Sequence, residues 1–65
     1  MSNSQKRELS IELDSVYAAI RILHKSFHNM HEKCDDPNTR KLIVQYAGAL
    51  IPIKNLSDNI AVLVD

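Results

Sequence analysis

The sequence contains very few of the residues that build active sites or cross-link small domains. Its 65 residues include one cysteine, one glycine, three aromatic side chains and no tryptophan. A single cysteine cannot form an internal disulfide, and one glycine excludes a glycine-rich phosphate-binding loop. Eight acidic and eight basic residues cancel, which argues against broad electrostatic attraction to nucleic acid or anionic membranes. We therefore expect a protein that is not an enzyme and needs no cofactor.

Long apolar runs are absent as well. The most apolar segment, Leu42 to Ile53, is shorter than the roughly 20 apolar residues of a membrane span and contains Gln45. The polar segment from Met1 to Leu9 lacks the apolar core of a signal peptide. Together with the lone reducible thiol, this predicts a cytoplasmic protein without a membrane partner.

Apolar residues spaced alternately by four and three positions dominate the first half of the chain. They are Leu9, Leu13, Val16, Ile20, Leu23, Phe27, Met30 and Cys34. This coiled-coil spacing keeps one side of an α-helix turned toward a partner helix, whereas a strand would alternate every two residues. No proline or glycine interrupts the pattern, and Ser2 with Gln5 has the form of a capping box. The pattern predicts a helix over residues 5–33.

A turn and a second helix follow. Residues 34–37 carry the one strong turn signal, in which Asp36 suits a helix N-cap and Pro37 the first helical position. The same spacing then returns and predicts a helix over residues 37–63. Its apolar residues are Leu42, Tyr46, Ala49, Ile53, Leu56, Ile60 and Leu63.

Pro52 lies inside this second pattern. A proline in a helix removes one hydrogen bond and meets the carbonyl four residues back, here that of Gly48, at a cost of about 3 kcal/mol. The spacing continues across Pro52 without a skip, which favours one kinked helix. A break at Ile51, followed by a third short helix, is the alternative.

These elements predict a single all-α domain, an antiparallel two-helix hairpin whose second helix is kinked or broken near Pro52. In such a hairpin, residue numbers rise along one helix while they fall along the facing stretch of the other. Facing residues therefore have numbers with a nearly constant sum, and Leu13 with Ile60 is one such predicted pair. The second helix also carries apolar residues off the spaced positions, so it is apolar on nearly all sides. These residues are Ile43, Val44, Ala47, Leu50 and Ile51. We expect a second copy to cover them, which gives a homodimeric four-helix bundle.

The candidate site residues fall into two groups, and neither group is catalytic. The expected core or dimer interface consists of Leu13, Ile20, Leu23, Phe27, Leu42, Ile43, Tyr46, Leu50, Ile53, Leu56 and Ile60. A second apolar patch on the outer side of the first helix, available to another protein, consists of Ile11, Tyr17, Ala18 and Ile22. No catalytic residue is predicted, because no serine or cysteine has a base at a motif spacing.

The three histidines share one face of the first helix. A pair four residues apart, such as His24 and His28, can chelate a transition metal. One helix supplies only two such ligands, because His24 and His31 lie about 10 Å apart along the axis. A polar flank beside the apolar side is the simpler interpretation, and we predict no metal site.

Two classes of function fit this pattern. The first is a small regulatory or adaptor protein that acts as a homodimer through helix-mediated protein–protein interactions, for example an inhibitor, an anti-repressor or a chaperone-like binder. The alternative is a helical-bundle regulator that binds RNA or DNA through basic residues near the turn. Those residues are Arg21, Lys25, Lys33, Arg40 and Lys41, with His28 beside them. Salt dependence separates the two classes, because phosphate contacts weaken steeply with added salt.

Overall fold

The chain is helical except at its ends and in one short connection. The computed structural model describes all 65 residues, with α1 over Asn3–Lys33, α2 over Pro37–Gly48 and α3 over Leu50–Val64. Helices make up 89% of the chain and no strand is present. The all-α prediction is therefore confirmed.

Side chains cap the starts of α1 and α2. The Ser2 hydroxyl accepts a hydrogen bond from the Gln5 backbone N–H (3.2 Å), and the Ser2 N–H donates to Gln5 Oε1 (3.0 Å). At α2 the Asp36 carboxylate accepts from the Thr39 N–H (2.9 Å), and Pro37 is the first helical residue. Helix starts leave backbone N–H groups without partners, and these caps satisfy some of them. The predicted capping box and the predicted N-cap at Asp36 are both confirmed.

The second helix is bent at Ala49, which separates α2 from α3. Ala49 itself keeps a right-handed helical conformation, with φ −66° and ψ −17°. The physical cause is Pro52, which has no N–H to offer the Gly48 carbonyl and whose ring crowds that carbonyl. The disturbance therefore lies about one turn before the proline that produces it.

Both α2 and α3 contact α1. Arg40, near the start of α2, lies beside His31, while Asp58 in α3 contacts Tyr17. As the chain advances, its contacts therefore move back along α1. The resulting shape measures 51 × 16 × 10 Å, with a radius of gyration of 15.4 Å. A compact chain of this length would have a radius of gyration of about 11 Å, so the molecule is a thin slab one helix layer thick.

The core of this slab is small. Leu13, Ile43, Leu50 and Ser57 are its buried residues, and no side chain is completely shielded from water. The accessible surface is 5259 Å², whereas a globular protein of the same mass exposes about 4,200 Å². The single chain thus leaves about 1,000 Å² more surface in water than is usual for its size.

Candidate interaction surface

The side chains of α2 and α3 that pack against α1 form a row along these helices. This row lies one position later in the sequence than the row that hydrophobicity predicts. This inner row consists of Ile43, Ala47, Leu50, Lys54, Ser57, Ala61 and Val64, and it also alternates four- and three-residue steps. Every member except Lys54 is buried or half-buried. The Ser57 hydroxyl is satisfied locally, because it donates to the Ile53 carbonyl (2.8 Å).

The sequence predicts that a second copy covers Ile43 and Leu50, but α1 and the rest of the same chain already shield them. Both are buried within the chain, while Val44 and Ile51 do lie exposed. Three small residues in the inner row supply a physical reason, because the distance between packed helices depends on the side chains at the contact. Alanine and serine allow α1 to approach closely, and the larger residues of the neighbouring row are left outside.

That neighbouring row lies in water along the whole second half of the chain. The α2–α3 outer row consists of Leu42, Tyr46, Ala49, Ile53, Leu56, Ile60 and Leu63, and its large side chains are 45 to 66% exposed. In α1, Leu13 is buried and Ile20 and Phe27 are half-buried. The α1 outer row consists of Leu9, Val16, Leu23 and Met30, which are 38 to 45% exposed.

Tyr17 contacts α3 and is not part of a free patch. Its hydroxyl donates a hydrogen bond to the Asp58 carboxylate, and Lys54 Nζ lies 3.3 Å from the same carboxylate. The bond from Tyr17 lowers the pKa of Asp58, with a smaller contribution from Lys54, and it raises the pKa of Tyr17. Of the other patch residues, Ile11 and Ile22 are exposed and Ala18 is half-buried. No local spacing could have indicated the Tyr17–Asp58 pair, because 41 positions separate the two residues.

The histidines line a shallow depression and have polar neighbours. His24, His28 and His31 border a space of about 210 Å³ between α1 and α2. His28 Nε2 lies 3.8 Å from a Glu32 carboxylate oxygen, and His31 Nδ1 lies 3.4 Å from the Arg40 guanidinium. No three His, Cys, Asp or Glu side chains are grouped closely enough to hold a metal ion. These polar neighbours fit the interpretation of the histidines as a polar flank beside the apolar side of α1.

Cys34 lies at the end of α1, where its thiol is half-buried and lies 3.7 Å from the Asp36 carbonyl oxygen.

None of the three helices combines the length and apolar character required to cross a membrane. Comparisons with protein-family models, curated proteins and solved structures gave no match. The two exposed apolar rows are the most extensive feature of the molecular surface.

Proposed function

We propose that this protein is a small non-enzymatic adaptor or regulator that acts through helix-mediated protein–protein contacts as a homodimer. The exposure of 16 large hydrophobic residues on a chain of 65 supports the proposal. Large contiguous apolar patches on small proteins mark interaction sites, because water does not favour such surface unless a partner covers it. The four-residue core also leaves little to stabilise the chain alone.

The proposed architecture is an antiparallel helical hairpin that pairs with a second copy to form a four-helix bundle. Two contacts support the hairpin, since Arg40 lies beside His31 and Asp58 accepts from Tyr17. Residues late in α1 thus pair with residues early in the second half, as an antiparallel arrangement requires. A slab 10 Å thick then has the dimensions of one layer of a two-layer bundle.

Sedimentation equilibrium and thermal melting test the homodimer. We expect a mass of twice 7.4 kDa at micromolar concentration and a melting temperature that rises with protein concentration, because folding and association are then linked. A 7.4 kDa species whose melting temperature does not change with concentration would contradict the homodimer. The adaptor role itself is tested by affinity capture from the native host, with Ile11 and Ile22 as the proposed contact points for a different protein.

Nucleic-acid binding is the second candidate, and a local cluster of basic groups favours it. His31, Arg40 and Lys41 border one shallow depression at the turn end of the molecule. Titration with short RNA and DNA duplexes at increasing salt tests this candidate. Binding that weakens steeply with salt and is lost in Arg40→Ala would favour it over the adaptor role.

A further inference from the structure

The two exposed rows lie on one side of the proposed hairpin. The α1 outer row contains Leu23 and the α2–α3 outer row contains Leu56. In the second half of the chain the outer row precedes the inner row by one position. In α1, Val16 and Met30 likewise precede by one position Tyr17, which contacts α3, and His31, which contacts α2. One position corresponds to a rotation of about 100° away from the contact. Two antiparallel helices are related by a twofold axis perpendicular to the slab. Rotation about this axis exchanges the helices but does not move a residue from one side of the slab to the other. Rows with the same offset therefore share a side, and we call their combined surface the apolar face.

The apolar face has the composition of an interface core. Neither row contains a charged residue, and the Tyr46 hydroxyl is the one polar side-chain group in them. All five exposed leucines of the chain belong to these rows, while the other two leucines are buried between the helices. Polar residues follow at the edges, with Glu12 and Ser26 beyond the α1 row and Gln45 and Asn59 beyond the other. An apolar centre with a polar rim is the usual anatomy of a protein–protein interface.

The geometry points to the apolar face as the homodimer interface, with a second copy of this chain as its occupant. This inference rests on the proposed homodimer and adds which surface forms it. The excess of exposed surface, about 1,000 Å², is close to the roughly 800 Å² that each partner buries in a standard interface. The chain therefore exposes about as much extra surface as one partner of a stable dimer buries, and the two exposed apolar rows contribute to it.

Spacing and charge also favour a second copy over a partner of another kind. The α2–α3 outer row has four- and three-residue steps and the α1 outer row has seven-residue steps. Both spacings belong to the heptad pattern with which helices of a bundle interlock, and an identical face presents the same pattern. The chain has zero net charge and the face has no charged side chain, so two copies do not repel each other. A twofold dimer also needs only one self-complementary surface.

Paired lysine substitutions on the two sides of α3 test the inference. Leu56 on the apolar face is 63% exposed, and Ile51 on the opposite side of the slab is 64% exposed. The two residues are therefore almost equally accessible but lie on opposite sides. We expect Leu56→Lys to raise the dimer dissociation constant by about 100-fold or more, because each dimer buries two altered sites. We expect Ile51→Lys to change it by less than about threefold, as a surface substitution does.

A milder pair keeps the test valid if lysine prevents folding. Ile60→Ala on the apolar face should raise the dissociation constant by about tenfold or more, whereas Ile22→Ala in α1 should leave it unchanged. Alanine favours helix in both cases, so circular dichroism should report folded protein at high concentration.

The outcomes separate this inference from the proposed function. A wild-type dimer that Ile51→Lys dissociates and Leu56→Lys does not would overturn the apolar face as the interface and keep the homodimer. Wild-type protein that stays monomeric at all concentrations would overturn both.

Discussion

Truncation of Leu50 tests the packing of α3 on α1 directly. Leu50 is the most buried apolar residue, at 7% exposure, and Leu→Ala substitutions in protein cores cost about 2–5 kcal/mol. We expect the lower end, about 2 kcal/mol, because no neighbouring side chain is fully enclosed and water can fill part of the space. A domain of this length has a free energy of unfolding of about 3–10 kcal/mol. Leu50→Ala should therefore remove a large share of the stability.

Circular dichroism at 222 nm during thermal melting measures this loss. With about 4–8 °C per kcal/mol for a small domain, the melting temperature should fall by about 8–16 °C at a fixed protein concentration. Ile51→Ala is the control, because the adjacent Ile51 is exposed and its truncation should change the free energy of unfolding by less than about 0.5 kcal/mol. Equal shifts in the two variants would refute the assignment of Leu50 to the inner row.

Three further predictions follow from the caps, the cross-helix hydrogen bond and the bend. Asp36→Ala should lower the free energy of unfolding by about 1 kcal/mol, measured by urea titration, because α2 loses its N-cap, and an unchanged midpoint would contradict this. Tyr17 lowers the pKa of Asp58 below its ordinary value of 3.8, so the stabilisation is complete above that pH and is lost as the pH falls through the folded-state pKa. The stability difference between wild type and Asp58→Asn should therefore shrink in acid, and a difference that grows there would refute the sign. Pro52→Ala should let the Gly48 carbonyl accept a helical hydrogen bond and join α2 to α3, which backbone NMR shifts would detect and a persistent interruption would contradict.

The helices themselves could be predicted from sequence because their signals are local. Four- and three-residue spacing marks a helix within a few turns, and the caps at Ser2 and Asp36 depend on residues three positions away. The effect of Pro52 was also predictable, since its missing N–H identifies the carbonyl that loses a partner. These features need no knowledge of what the helix packs against.

The choice of packing row could not be predicted in the same way. Two adjacent rows, one starting at Leu42 and one at Ile43, have identical spacing, and hydrophobicity favours the first. The chain uses the second, where Ala47 and Ala61 permit close approach and Ser57 satisfies its hydroxyl on its own helix. That preference is a property of two helices in contact. Periodicity in a single helix carries no information about it.

The bend at Ala49 also divides the second half of the chain into two helices, α2 and α3. Their contacts with α1 close loops of very different length. The contact of α2 with α1 at His31 and Arg40 spans nine positions, whereas the contact of α3 at Tyr17 and Asp58 spans 41. Closing the longer loop costs about 1.3 kcal/mol more in chain entropy. We expect backbone amides of α3 to exchange with deuterium sooner than those of α2, because the bend also weakens the hydrogen-bonded continuity between them. Beyond Ile53, α3 carries Leu56, Ile60 and Leu63 of the outer row. If the proposed homodimer forms through this row, local opening of α3 exposes part of its interface.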